Sequence, residues 1–89
     1  MTVTELDFTI ALSSKILTAG TYTFKVTNSG KSPHNLTLDG PGVSDKATST
    51  LTPGTSGELT VTLQKGTYEA YCSVDSHKDR GMDETLQVS

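Results

Sequence analysis

The chain has few of the residues that usually hold a small domain together or carry chemistry. Its 89 residues include one cysteine, two histidines, two methionines (one of them the first residue) and no tryptophan. A single cysteine cannot form an internal disulfide, so cysteine usage does not reveal the redox compartment. No apolar run approaches the roughly 20 residues that a membrane-spanning helix needs, and no signal peptide is recognisable. These absences suggest either a cytosolic protein or a mature domain with an added first methionine.

The net charge of the chain is also small. The formal net charge of −3 argues against nucleic acid or an anionic membrane as the main partner. The length predicts one domain over residues 1–89, with a single modest core and no membrane insertion. We expect this domain to be a monomer.

Thr, Ser, Gly and Val are abundant instead, a composition that favours short strands and turns. Apolar residues alternate from Leu6 to Leu12, which predicts one half-buried strand. Val3 lies on the opposite parity, so we expect a bulge or crossover near Thr4 and Glu5. A second alternating run covers Thr21–Thr27.

Further short runs complete the pattern. The segment 39–50 is irregular and could hold one helical turn. About seven short strands with turn signals every 8–12 residues or so predict an all-β fold, a small Greek-key β-sandwich. The remaining strand predictions fall at 16–17, 34–38, 59–63, 68–72 and 86–88.

The scarce residues are concentrated in one stretch near the C-terminus. Cys72, His77 and Met82 follow a strand-like run with the spacing C-x4-H-x4-M. A thiolate, an imidazole and a thioether together suit copper better than calcium or magnesium. His34 shares parity with Leu36 and Leu38, so it is predicted to point inward from another strand. Two histidines, one cysteine and a weak axial methionine form the donor set of a blue-copper electron-transfer site.

Three segments then carry a family resemblance: Ser-Pro-His-Asn at 32–35, Gly-Thr-Tyr at 66–68, and Tyr-Cys-x4-His-x4-Met at 71–82. With them, the sequence resembles the cupredoxins, the small blue-copper family that includes plastocyanin, azurin and rusticyanin. The resemblance covers nearly the whole chain. It implies one type 1 copper ion, with the ligands His34, Cys72, His77 and axial Met82.

The resemblance also implies roles for residues around the site. Asn35 is expected to hydrogen-bond to the ligand loop near Ser73, and Tyr68 to form a tyrosine corner. The exposed edge of His77 is the expected port for electrons. Many relatives have Pro-Gly at 75–76, where this chain has Asp75-Ser76, which puts the stiffness of the loop and the redox potential in question.

The implied function is single-electron transfer between redox partner proteins, without enzyme activity of its own. We expect the native protein to be periplasmic or extracellular, or tethered to a membrane. Zinc would also bind such a site, because geometry and supply decide which metal occupies it.

Each scarce residue also has an ordinary structural explanation. A lone cysteine is most often a buried small hydrophobe, a lone histidine a surface or hydrogen-bonded residue, and a lone methionine part of the core. Their joint spacing, with an inward-facing His34, favours a metal site. Three alternatives stay open: a copper chaperone or storage module, the electron-entry domain of a larger copper enzyme, and a metal-free β-sandwich interaction domain.

Overall fold

The chain folds into two packed β-sheets. The computed structural model describes residues 1–74 and 77–89. Within these ranges one sheet has the strand order β2-β1-β4-β7 and the other β3-β9-β8-β5-β6. The nine strands are β1 (Thr2–Leu6), β2 (Thr9–Leu12), β3 (Ile16–Leu17), β4 (Gly20–Asn28), β5 (Thr37–Gly40), β6 (Val43–Ala47), β7 (Ser56–Leu63), β8 (Gly66–Tyr71) and β9 (Asp83–Val88). The predicted all-β sandwich is confirmed.

Helical structure is minimal. In the described part of the chain, the one helical element is a 3-10 turn at His77–Arg80. No helix in those residues is long and apolar enough to cross a membrane.

The core lies between the sheets, because alternate side chains of each strand point inward. Phe24 and Val26 of β4 are fully buried, and so are Tyr68 and Ala70 of β8. The other buried apolar side chains include Val3, Ile10, Leu36, Leu38, Leu59, Val61, Leu63, Leu86 and Val88.

Tyr68 forms the predicted tyrosine corner. Its hydroxyl donates a hydrogen bond to the Pro41 carbonyl and accepts one from the Gln64 N–H at 2.8 Å. A Cβ at Gly40 would overlap the tyrosine ring, so the glycine makes room for it. The corner ties the β7–β8 connection to the turn of the β5–β6 hairpin.

The prediction of one strand from Leu6 to Leu12 is wrong. The chain reverses at Asp7 and Phe8, and β1 pairs antiparallel with β2 through Leu6 and Thr9. Leu6 is 50% exposed, while Ile10 is buried. The expected bulge or crossover near Thr4 and Glu5 is wrong, because β1 keeps an unbroken register with β2 and β4 there. The reversal explains the parity of Val3, which is buried on the inward face of β1 together with Glu5.

The segment 39–50 holds a strand rather than a helical turn. Strand β6 pairs antiparallel with β5 at the edge of its sheet. Only Val43 of its five residues is buried. An edge strand with one inward side chain leaves no alternation of apolar residues in the sequence, which is why the pattern does not predict it.

Candidate metal centre

His34 is held by its backbone at one end of the sandwich. Its N–H donates to the Leu51 carbonyl at 3.1 Å, and its carbonyl accepts from the Leu51 N–H at 2.7 Å. This isolated antiparallel bridge fixes the chain just before β5. The His34 side chain is fully buried, like those of Leu36 and Leu38, so the inward orientation predicted from parity is confirmed.

The C-terminal stretch folds back on itself through backbone hydrogen bonds. Cys72 follows β8, and its N–H donates to the Met82 carbonyl at 3.1 Å. The Met82 N–H donates in turn to the His77 carbonyl at 3.1 Å. Cys72 and Met82 are fully buried, and His77 is 5% exposed. The fold therefore brings Cys72 and His77 to one buried location beside His34, and the backbone of Met82 is hydrogen-bonded to both of them.

Three donor atoms converge there. The Nδ1 atoms of His34 and His77 lie 3.0 Å apart. The Sγ atom of Cys72 lies 3.9 Å from Nδ1 of His34 and 3.7 Å from Nδ1 of His77. The three residues form a buried cluster able to hold a metal ion.

The size of this cluster suits a single ion. Metal bonds of about 2.0 Å to imidazole nitrogen and about 2.3 Å to thiolate sulfur let one ion join two nitrogens up to about 4.0 Å apart, and a nitrogen and a sulfur up to about 4.3 Å apart. The three observed separations are all shorter than these limits. Imidazole and thiolate donors also match copper chemically.

Asp7 touches the site from the β1–β2 turn. Its Oδ1 lies 2.9 Å from Nε2 of His34. A carboxylate can only accept, so Nε2 of His34 donates this hydrogen bond. In the neutral imidazole this tautomer leaves the lone pair on Nδ1, the atom that faces Cys72 and His77. The hydrogen bond from His34, with those from the N–H groups of Lys31 and Ser32, holds the pKa of the Asp7 carboxyl below its usual range.

Phe8, the next residue of this turn, covers the other histidine. Its ring packs edge-on against His77 with a centroid distance of 5.2 Å. The guanidinium of Arg80, on the same 3-10 turn as His77, lies 5.1 Å from the centroid of the Phe8 ring. His77 is more exposed than His34, as predicted, but at 5% it is a buried residue with little open edge.

Sequence reasoning missed both Asp7 and Phe8, because the apparent strand placed them in regular structure. The signal that could have found them is Asp7 itself. Aspartate is a turn residue, and it stands where the buried parity switches between Val3 and Ile10.

Asn35 joins the two segments that carry the donor atoms. Its Nδ2 donates to the Ser73 hydroxyl at 2.8 Å, and its Oδ1 accepts from the Ser73 N–H at 2.9 Å. The predicted cross-link between Asn35 and the ligand loop is confirmed. The predicted effects of Asp75-Ser76 on loop stiffness lie outside the described residues.

Solved structures share this fold. An auracyanin from the photosynthetic bacterium Roseiflexus castenholzii, reduced with dithionite, superposes with a TM-score of 0.79 at 22% identity, covering 99% of this chain and 94% of that one. Auracyanin B gives 0.84 at 22% identity, over 100% of this chain and 87% of that one. A multicopper oxidase gives 0.73 at 17% identity, and the match spans 41% of the oxidase chain and 100% of this one.

At the level of sequence, no curated protein matched the chain. The family model described as "copper binding proteins, plastocyanin/azurin family" matches residues 4–89. The model spans both segments that supply the donor atoms, and copper is the metal that these donors suit. The chain therefore belongs to the plastocyanin/azurin family of copper-binding proteins, the cupredoxins.

Proposed function

We propose that the protein is a single-domain type 1 copper protein that carries one electron at a time between redox partner proteins. The proposed ligands are Nδ1 of His34, Sγ of Cys72 and Nδ1 of His77, with Met82 as a weak axial ligand. The observation that carries this proposal is the convergence of the three donor atoms in one buried cluster.

Bound copper would supply a one-electron couple between Cu(I) and Cu(II). The protein's contribution is to keep the donors in place. Paired backbone hydrogen bonds hold His34 to Leu51, and paired side-chain bonds hold Asn35 to Ser73. A donor set that is already assembled needs little rearrangement when the charge of the ion changes, and this favours fast electron transfer.

The proposed route for electrons runs through His77. His77 lies on the 3-10 turn and has the greater exposure of the two histidines. Because Phe8 packs on its ring, a partner would approach the pair of rings rather than a bare imidazole.

The native setting is proposed from the family alone. We propose a monomer in the periplasm, outside the cell, or tethered to a membrane. The redox partners are proposed to be proteins, since the net charge of −3 does not favour a polyanion.

The match to a multicopper oxidase supports a second proposal, that the domain delivers electrons within a larger copper enzyme. The chain has two histidines, and both lie in the cluster already described. It therefore has no histidine left for oxygen-reducing coppers and is not proposed to be an enzyme by itself.

Visible absorption tests the proposal directly. One equivalent of Cu(II) added to the reduced apoprotein should give an intense band in the red part of the spectrum, from thiolate-to-copper charge transfer. Cys72→Ser should abolish the band while circular dichroism shows an intact fold. Met82→Leu should keep the band and raise the reduction potential, because a weak donor is lost. An intense band that survives in Cys72→Ser would contradict the assignment.

A further inference from the structure

The two-residue turn Asp7–Phe8 touches both histidines of the metal centre. Oδ1 of Asp7 accepts from Nε2 of His34 at 2.9 Å, and the Phe8 ring packs against His77. The same Asp7 oxygen accepts from the N–H groups of Lys31 and Ser32, at 2.9 and 3.1 Å. These contacts tie the turn to the loop that carries His34.

Two glycines allow the turn to come this close. A Cβ on Gly30 would overlap the Asp7 carboxylate and lie 3.0 Å from Nε2 of His34. A Cβ on Gly81 would lie 2.9 Å from the Phe8 carbonyl oxygen, and Gly81 has φ +119°. Both segments that supply donor atoms therefore have a residue without a side chain where they meet the turn.

The backbone of the turn is strained. Phe8 has φ 70°, in the left-handed region that glycine occupies easily and that a bulky residue rarely adopts. Such conformations are unfavourable and persist where the surroundings impose them, most often at functional sites. Here the surroundings are the bonds of Asp7 on one side and the packing of Phe8 on His77 on the other.

We propose that Asp7 is a positioning residue of the copper site that holds His34 with Nδ1 toward the ion and lowers the reduction potential of the bound copper. The inference rests on the proposed function, because it takes His34 as a ligand. A carboxylate bonded to the far nitrogen of a ligand histidine fixes its tautomer and ring orientation and makes it a stronger donor. Its negative charge favours the more highly charged Cu(II) over Cu(I).

Other metal sites indicate how much metal affinity is lost when such a hydrogen-bonding partner is removed. Loss of such a partner typically costs 10–100-fold in metal affinity. Because the lost negative charge acts more strongly on Cu(II) than on Cu(I), we expect Asp7→Asn to weaken Cu(II) binding by about tenfold more than Cu(I) binding. A tenfold change in that ratio corresponds to an upward shift of about 59 mV in a one-electron potential.

Three variants separate the contribution of the Asp7 charge from that of its hydrogen bonds. In Asp7→Asn the amide oxygen can still accept from His34, Lys31 and Ser32, so the turn is kept and only the charge is lost. Asp7→Ala removes the acceptor as well. Asp79→Asn, the matched control, removes the same charge from an exposed residue of the 3-10 turn that carries His77.

Voltammetry measures the reduction potential of each variant, and competition with metal chelators measures its copper affinity. We expect all three variants to keep the charge-transfer band, Asp7→Asn to have a raised potential, and Asp79→Asn to stay close to the parent. A shift in Asp7→Asn no larger than that in Asp79→Asn would overturn the proposal. Asp7→Asn retains the fold-supporting bonds, so this comparison holds even if Asp7→Ala does not fold.

A measurement on the apoprotein separates this inference from the proposed function. Long-range proton–nitrogen NMR at alkaline pH reports which ring nitrogen of His34 carries the proton. We expect Nε2–H in the parent and a mixture of tautomers in Asp7→Ala. A parent His34 protonated on Nδ1 would overturn the inference even with copper bound normally. A parent that fails to form the charge-transfer band would overturn the proposed function, and the tautomer result would still test the role of Asp7.

Discussion

Two carboxylic acids on the same hairpin, two residues apart, have opposite environments. Glu5 points into the interior of the sandwich, where its side chain is fully buried and neither oxygen has a hydrogen-bond partner among the described residues. Asp7 lies at the metal end, partly exposed, and accepts hydrogen bonds from His34 and from two backbone N–H groups. Burial raises the pKa of Glu5 to about 8, while the bond from His34 lowers that of Asp7.

The two acids differ in whether their side chains have hydrogen-bond partners, and this difference separates the interior of the domain from its metal end. At the metal end, Asp7 and Asn35 both have hydrogen-bond partners, and these contacts orient a donor atom or join two segments. Asp7 orients His34, and Asn35 joins its own segment to Ser73. Glu5 has no comparable partner among the described residues, so it destabilises the fold once it ionises.

Substitution of Glu5 should change the free energy of unfolding more than any other change considered for this hairpin. In the unfolded chain this acid ionises near its ordinary pKa of 4.5, but in the folded protein it stays protonated up to about pH 8. The folded state therefore binds more protons between these values, and stability should fall by about 1.4 kcal/mol per pH unit as the pH rises. Glu5→Gln removes this contribution and should be clearly more stable than the parent at pH 8, yet similar to it below pH 4.5.

Urea unfolding of the apoproteins at several pH values measures this difference. Glu58→Gln, on the exposed face of β7, is the matched control and should follow the parent across the whole range. If the free energy of unfolding of Glu5→Gln and of the parent changed with pH in the same way, Glu5 would not be a buried acid whose ionisation destabilises the fold.

Asn35 gives the next largest effect. Asn35→Ala removes both hydrogen bonds to Ser73 and leaves the Ser73 N–H without that acceptor, which should cost about 1–3 kcal/mol. Ser73→Ala removes only the side-chain bond and should cost about 1 kcal/mol. Copper affinity, measured by chelator competition, should fall more in Asn35→Ala than in Ser73→Ala. Equal affinities in both variants would mean that the cross-link does not organise the donor atoms.

Two substitutions of Phe8 separate the cost of its backbone strain from the contribution of its ring packing, and the difference in stability between them should be the smallest of the three. Phe8→Ala and Phe8→Gly both remove the ring from His77, but only glycine adopts φ 70° without strain. We expect the glycine variant to be more stable than the alanine variant by about 1 kcal/mol, in thermal or urea unfolding. The reverse order would mean that the turn does not hold Phe8 in the left-handed region.

The metal end was largely predictable, and the hairpin that supports it was not. Parity with Leu36 and Leu38 predicts the inward position of His34, and the spacing of residue types that occur once or twice in the chain predicts the ligand loop. These signals depend on residue type and spacing, so they can be recognised in the sequence without a structure. The Asp7–Phe8 turn gives a misleading pattern, because Leu6, Phe8, Ile10 and Leu12 alternate as if on one strand. The turn conformation of Phe8 is imposed by tertiary contacts with His77 and Gly81, which local sequence does not encode.

Repeated redox cycling in the presence of a Cu(I) chelator distinguishes an electron carrier from a protein that stores or delivers copper. An electron carrier must retain its ion in both oxidation states. We expect the charge-transfer band to bleach on reduction and to return in full on reoxidation over many cycles, with one copper per chain throughout. A band that disappears after the first reduction, with copper recovered on the chelator, would contradict electron transfer and favour a protein that stores or delivers copper.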